Sequence, residues 1–519
     1  MIGRLAWHET RSFLRTPMAA VFTVAMPLLM TVIIGASLGD QLVRPGSDVR
    51  VMQFVVPVMA VFGLAQGCFG ALAIRMAELR DRGWLKRLRG TPVPAWAVLG
   101  GLAGASLAVG AATVAVQLAV GVVFYDTQVV WRAVPALLLA LLAGAACFTA
   151  LGFAAVALVR SAAAVQLLGT GLLLALAFIS DVILVGARLP AWLDAVGWVF
   201  PLRHLAHAVR DATNPFLPGA GLSGDHLLVL VAWGIGGAAL AVWRFGWERA
   251  PARTAATPRG RPARPRGRPS SMSLPAGQAV HALVRLRRDP ATAFFTVILP
   301  VLLLVLISLI FPGAQVSGVR LPVFMLGAMI TYTVGVASYV NIAETISGDR
   351  ERGVLKRLAG TPLPGWAYHA GNLTNALLVT IATALTLALV TALGYGVRIE
   401  PRAVLGMLAA IVAGAACFSV LGALVVALAS RQQTVNAITL GTFLPLAFVS
   451  DVFVIGELPA VLRGAGDVLP LRHVSHAILT VLDPAGRPWP WADLAVVAAW
   501  TAAGIAALAV VRARRRTTP

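Results

Sequence analysis

Residues 78–96 read ELRDRGWLKRLRGTPVPAW, and residues 348–366 read GDRERGVLKRLAGTPLPGW. Two polar islands of nearly one spelling stand between long apolar runs. A constant offset of 270 residues pairs Gly83 with Gly353, Lys86 with Lys356, Thr91 with Thr361 and Trp96 with Trp366. The chain is a tandem duplication. Within the first island Trp84, Leu85 and Leu88 fall on one side of a short helix and Lys86, Arg87 and Arg89 on another, the pattern of a helix lying in a membrane interface. Gly90 suits a helix end, Thr91 an N-cap and Pro92 the first position of a following helix, while Trp96 sits where an amphipathic ring marks a bilayer edge. A loop needing only positive charge is free to spell that charge in many ways, so near-identity in both copies argues for a specific contact.

The composition confines the chain to a bilayer. Of 519 residues 59% are hydrophobic and only 12% charged, and the mean hydropathy is +0.84. The formal charge of +21 would suggest nucleic acid in a soluble protein, but its placement argues otherwise. Seven arginines lie between Arg249 and Arg268 and four between Arg512 and Arg516, as expected of cytosolic segments facing anionic lipid. Cys68, Cys147 and Cys417 all lie in apolar runs, which indicates neither a disulfide framework nor a thiolate metal site. The first apolar run has the look of a signal peptide; its internal copy, with His281, Arg288, Pro290 and Pro300 matching His8, Arg15, Pro17 and Pro27, leads us to read it as a retained span.

In order, the pattern predicts a basic amphipathic lead over 1–16 and spans at about 18–39, 52–74, 95–124, 133–159, 163–186 and 226–247, each near the ~20 residues that cross a hydrocarbon core. Leu189-Pro190, Trp192, Trp198 and the run 200–204 make a broken apolar segment, read as short helices dipping into the outer leaflet. Residues 250–273, rich in Pro, Arg, Gly and Ser, form a linker. The second half repeats the plan, with spans at about 291–311, 322–343, 367–397, 402–429, 433–456 and 491–511 and a broken segment at 458–483. The expectation is an all-α integral membrane protein of twelve spans with pseudo-twofold halves at 1–249 and 274–519, a cytosolic linker at 250–273, and both termini cytoplasmic.

Two sets of polar residues interrupt the apolar pattern. His204 with His207, and His473 with His476, put two histidines three apart on one helical face in each half. They read either as a metal or proton site shared across the halves, or as polar groups facing water at the outer surface; no nearby Cys or Glu completes a ligand set, so no metal is assigned. Asp181 and Asp451 each follow a Ser at the end of an apolar run. They read as members of a substrate path or outer gate, or as solvated helix ends.

Taken together these features resemble the ABC-2 family of ATP-binding-cassette permeases, with both halves fused in one chain. The residues carrying the resemblance are DRGWLKRLRGTPVP at 81–94 and ERGVLKRLAGTPLP at 351–364, which look like the family's cytosolic coupling helix, and AFISDVILVGARLPAWL at 177–193 and AFVSDVFVIGELPAVL at 447–462, which look like the end of its fifth helix. The chain departs from the family at Asp181 and Asp451, where a small residue is expected, and at PLRH in 201–204 and 470–473, which replaces an Asn-Pro turn. The resemblance implies an exporter driven by ATP, yet no G-x-x-x-x-G-K-[ST] phosphate loop occurs. The chain is therefore expected to be no enzyme and to bind no cofactor itself, with ATP and Mg on a partner ATPase homodimer. The ATPase-coupling residues so implied are Glu78, Arg82, Gly83, Lys86, Arg87, Thr91 and Pro92, and in the second half Glu344, Arg352, Gly353, Lys356, Arg357, Thr361 and Pro362.

No span carries a run of charges suited to a hydrophilic solute, so a drug, an antibiotic or a lipid-like molecule is the expected cargo of an efflux reaction. Abundant Ala, Arg, Gly and Pro suit a GC-rich bacterial genome and hence a bacterial plasma membrane. The alternatives are an ATP-independent secondary transporter built from two repeats, which should carry paired charges or broken helices at mid-membrane, and an intramembrane enzyme, for which the His pairs are the only candidates.

Overall fold

The computed structural model describes residues 2–14, 21–44, 47–81, 83–84, 87, 90, 94–159, 161–183, 185–186, 189–244, 284, 289–316, 318–362, 364–453, 460–483 and 489–517. The predicted linker at 250–273 lies outside them. Contacts divide the chain into two units, Met1–Arg261 and Pro262–Pro519.

The first unit is helical throughout. An amphipathic helix α1 (Ile2–Leu14) precedes α2 (Met26–Leu38), α3 (Met52–Asp81), α4 (Ala95–Tyr125), α5 (Val134–Leu158) and α6 (Ala164–Ile179). A broken segment supplies the short helices α7 (Ala191–Gly197) and α8 (Pro201–Thr213) before α9 (Gly224–Arg244) closes the unit. The second unit repeats this as α10 (Pro290–Ile310), α11 (Leu321–Glu351), α12 (Val354–Ala359), α13 (Gly365–Tyr395), α14 (Pro401–Leu428), α15 (Gln432–Val449), α16 (Ala460–Gly466), α17 (Pro470–Leu482) and α18 (Trp491–Thr517). A two-residue hairpin, β1 (Gln315–Val316) with β2 (Val319–Arg320), joins α10 to α11.

One helix in each unit is the hub. The apolar window of α3 is 89% buried and that of α11 94%, whereas the other long apolar helices are 11–50% buried. Each hub contains a π-helical turn at the matching place, Gln66–Ala71 and Val336–Val340. Such turns mark places where a helix departs from its ladder for packing or function. Apolar helices in lipid gain little from hydrophobicity alone, so close packing and hydrogen bonds must hold them. Gly144 and Gly414 show the packing at equivalent positions: an added Cβ would lie 2.5 Å from Leu205 in the first unit and 2.9 Å from Val474 in the second. These glycines let α8 and α17 press onto α5 and α14.

Among the described residues nine helices are long and apolar enough to cross a membrane. Of the remaining predicted spans, α2 and α6 contain apolar helices of only 10–17 residues, and α15 does not meet the same measure. The predicted fifth spans, to 186 and 456, run too far: α6 stops at Ile179 and α15 at Val449. The cause is local, because Asp181 and Asp451 adopt left-handed backbone, with φ of 60° and 59°, and no helix continues through that conformation. In the other direction, α3 and α11 extend past the predicted ends at 74 and 343 to Asp81 and Glu351, so the polar islands begin inside the hub helices.

The hub ends are clamped by an arginine. Arg80, 8% exposed, donates to the carbonyls of Val156 and Val159 at 2.6 and 2.8 Å. Its copy Arg350 donates to Val426, Ala429 and Ser430 at 2.8, 2.7 and 2.8 Å. Each guanidinium thereby fills the orphan carbonyls at the end of α5 or α14 and opposes the negative end of that helix dipole. Replacing Arg350 with Met leaves these carbonyls without their charged donor and should lower stability by about 2–3 kcal/mol, read as a lower unfolding midpoint in detergent. Arg80→Met should do the same; unchanged midpoints for both would show that the clamp is dispensable.

Candidate functional site

The second polar island is the better described. Helix α11 ends at Arg352 and the chain turns at Gly353, whose φ of 70° is left-handed. Its copy Gly83 has φ 67°, and a Cβ at either would meet nothing within 4 Å, so backbone conformation rather than crowding demands glycine. The turn redirects the chain into α12, a helix of six residues with none buried. Leu355 and Leu358 pack beneath it against a cluster including Ile342, Ile346 and Tyr368, while Lys356 and Arg357 are exposed. The amphipathic reading of the island is thus met in three dimensions.

The capping predicted at Thr91 and Pro92 lies outside the described residues. In the second copy the Thr361 hydroxyl donates back to the Leu358 carbonyl at 2.6 Å, closing α12, and α13 begins at Gly365 behind an extended Pro364. Glu344 lies within α11, half-buried, about two and a half turns before Gly353. Arg352 pairs with Asp349 at 3.1 Å. In the first unit Glu78 lies 3.9 Å from Arg75, which also holds Glu9 of α1 at 3.1 Å, and Arg87 is exposed. Arg82, Lys86, Thr91 and Pro92 lie outside the described residues.

Several anchors escaped the sequence reading. The Glu351 carboxylate accepts the backbone N–H of Gln432 at 2.6 Å, and Tyr368 donates to Asp349 at 2.8 Å. With the Arg350 clamp, they tie the base of the exposed helix to α13, α14 and α15. The first copy has Leu79 and Val98 at the positions of Asp349 and Tyr368, and both belong to an apolar cluster there. Only the repetition of Arg80 at Arg350, an arginine at the end of an apolar run, was visible beforehand.

The second set of candidates forms a partly buried ionic cluster in each unit. Asp181 lies 2.6 Å from Arg210 and 3.7 Å from His207, and accepts the Gly186 N–H at 2.7 Å. Asp451 lies 3.4 Å from Arg472 and 3.7 Å from His476. With side chains only 12% and 21% exposed, neither is a solvated helix end; each is paired within its own unit. The histidines are not water-facing pairs with a common direction either. His204 and His473 each place Nε2 2.9 Å from a backbone carbonyl, of Trp198 and Asp467 respectively. Their Nδ1 atoms reach the closing helix, at 3.1 Å from His226 Nδ1 in α9 and 2.7 Å from Asp493 in α18. Among the described residues no group of three or more His, Cys, Asp or Glu is arranged to hold a metal ion.

Arg203 completes the first cluster, stacked 4.4 Å over Trp198 and paired with Asp194, and Arg472 takes Asp467 at 3.2 Å in the second. Burial and the cations of Arg210 and Arg203 push the His207 pKa down to about 3. What this arrangement does chemically is hold the broken segment against its neighbours by charge, with no nucleophile and base pair among the groups.

A duplicated helical unit with nine helices among the described residues long and apolar enough to cross a membrane defines a multi-pass membrane protein. The family model for the ABC-2 type transporter matches residues 2–213 and 280–482, one match in each half. The chain belongs to the ABC-2 type transporter family. No curated protein matches it.

The depressed His207 gives a pH prediction. Between pH 6.5 and about 3 the unfolded imidazole takes a proton that the folded one does not, so stability is lost as pH falls through that window. His207→Gln should flatten the fall of the unfolding midpoint between pH 7 and pH 4; an unaltered profile would refute the assignment.

Proposed function

We propose that this chain is the transmembrane permease subunit of an exporter, moving an amphipathic or hydrophobic substrate such as a drug, an antibiotic or a lipid-like molecule outward. The motor is a separate ATPase homodimer that carries ATP and Mg. In this reading the nine long apolar helices among the described residues are joined by α2, α6 and α15 as shorter crossings, for twelve passes through a bacterial plasma membrane with both termini and the linker in the cytoplasm.

The observation that carries the reading is the exposed pair Lys356 and Arg357 on a six-residue helix set at the end of the most buried helix in its unit. An exposed basic helix alone is an ordinary membrane-surface feature. Here it stands on a base held by Arg350, Asp349 and Glu351, so a push on α12 displaces α11, α14 and α15 as a body. Packed elements of this kind move by rigid rotation or shear rather than by bending. Glu78, Arg82, Gly83, Lys86, Arg87, Thr91 and Pro92, with Glu344, Arg352, Gly353, Lys356, Arg357, Thr361 and Pro362, are the residues that contact the ATPase or position those that do. In the same reading Asp181, His204 and His207, with Asp451, His473 and His476, hold the outer gate shut through their ion pairs and hydrogen bonds.

The test is co-purification of the tagged chain with candidate ATPases of its host, followed by ATPase and export assays. Lys356→Glu with Arg357→Glu should reduce stimulated ATP hydrolysis and export by at least about tenfold, the scale of removing one or two charge-assisted contacts, while membrane insertion is retained. Stimulation and export at the wild-type level in that variant would sink the proposal.

A further inference from the structure

The two units differ most sharply at the end of the hub helix opposite the polar island. In the first unit Leu42 bridges Arg50, and in the second Gln315 pairs with Arg320, which makes Arg320 the counterpart of Arg50. Arg50 has two carboxylate partners, Asp40 at 3.8 Å and Asp126 at 3.1 Å. Both are glycine in the second unit. Gly313 stands two residues before Gln315 as Asp40 stands two before Leu42, and Gly396 follows Tyr395 as Asp126 follows Tyr125. The backbone at the second pair is the same, left-handed in each case with φ 52° at Asp126 and 63° at Gly396. What has changed is charge, not course. Among the described residues Arg320 keeps a single hydrogen bond, to the Tyr395 carbonyl at 3.1 Å, and its side chain is exposed.

A cavity lies where the carboxylates are missing. It encloses about 350 Å³ and is lined by Arg320 together with Leu309, Phe311, Pro312, Pro322 and Tyr395. The first unit has Tyr125 packed directly over Gly35, where an added Cβ would come within 2.2 Å of the ring. The second has Ser308 at that place, and its Tyr395 hydroxyl donates to the Val305 carbonyl at 3.0 Å. Its lining combines the exposed Pro312, Gly313, Gln315 and Arg320 with the half-buried Phe311, Pro322 and Tyr395, so the guanidinium stands at an open mouth beside apolar walls.

We propose that this cavity binds the anionic headgroup of a phospholipid, with the Arg320 guanidinium on the phosphate and the apolar walls of Leu309, Phe311, Pro312 and Pro322 against the glycerol and upper acyl chain. A guanidinium stripped of its internal counter-ions and set beside apolar walls fits a phosphate that carries an apolar body and a net charge. A free phosphate would leave those walls unused, and a zwitterionic headgroup brings its own counter-charge. The proposal is independent of whether the chain transports anything.

The full-length chain, purified in mild detergent and supplied with equal phosphatidylglycerol and phosphatidylcholine, is examined by native mass spectrometry for retained lipid. The wild type should retain phosphatidylglycerol in preference to phosphatidylcholine. Arg320→Gln, and separately Gly396→Asp, should each lower that retention about tenfold, the scale of one hydrogen bond to a charged group. Gly396→Asp returns to the site the carboxylate that the first unit carries on the same left-handed backbone, so a folding defect is not expected, and the unfolding midpoint checks it. Arg50→Gln, at a guanidinium already paired, should leave retention unchanged. Equal retention of both lipids, or no effect of both second-unit variants, overturns the proposal. So does displacement of phosphatidylglycerol by 10 mM inorganic phosphate (about a hundredfold excess over lipid), since the site would then read the anion alone.

Discussion

The structure depends on a guanidinium placed where two helices end. Arg80 and Arg350 arrive at the last turn of the hub helix and find the open carbonyls of the neighbouring helix, α5 or α14, within 2.6–2.8 Å. In a bilayer these carbonyls have no water to turn to over much of their length, and apolar helices have little reason to prefer one register over another. A charged donor reaching two or three acceptors supplies both the satisfaction and the register. The helix turn at Gly83 or Gly353 follows within three residues, so the exposed basic segment inherits its position from the clamp. Every other feature of the islands, from Leu355 and Leu358 beneath α12 to Glu351 at the start of α15, is arranged around that fixed point.

Duplication gave the chain two such frames, and the differences between them are informative because the backbone is held in common. The hub ends with polar bracing in the second unit, Asp349 with Tyr368 and Arg352, and with apolar packing in the first, where Leu79 and Val98 stand instead. The broken segment is tied to the closing helix by His473 and Asp493 in one unit and by His204 and His226 in the other. The same geometry is therefore served by a charge-assisted bond on one side and by a pair in which one imidazole must donate and the other accept. A binding surface that changes chemistry while its backbone stays constant is a place where the halves are free to specialise. The loss of both carboxylates beside Arg320 is the most pronounced case.

Much of the architecture was legible in the sequence, for a physical reason. Long apolar runs, a fixed offset between copies and a Gly between a charged helix end and a basic amphipathic stretch are local signals, and local signals survive without coordinates. The long spans, the duplication and an amphipathic basic stretch after each second span follow from them. What was misjudged depends on contacts between distant residues. The fifth spans looked longer because apolar residues continue past Asp181 and Asp451. The ion pairs of those aspartates were missed because Arg210 and Arg472, roughly 20–30 positions further on, are invisible as partners in a linear reading. His204 and His473 find their partners on α9 and α18, which spacing along one helix cannot reveal.

The placement of charge bears on how such a chain would move. At one end of the hub helix the guanidinium of Arg350 is spent inside the fold, and the cations that remain exposed, Lys356 and Arg357, project from a short helix that nothing covers. About 46 Å away along a helix of 31 residues, the opposite end carries Arg320, which has no carboxylate partner among the described residues. Between them the helix is almost wholly buried and interrupted only by the π-helical turn at Val336–Val340, where Tyr339 reaches Thr442 of α15 at 2.8 Å. A force applied at the basic helix meets no soft element before that turn, because the clamp and the Glu351 cap hold three helices to the same base. The π turn is the one place where the ladder of the hub is already relaxed, so it is where a displacement imposed at one end would be taken up. The turn recurs at Gln66–Ala71, again facing the fifth span of its half through Gln66 and Thr170 at 3.4 Å.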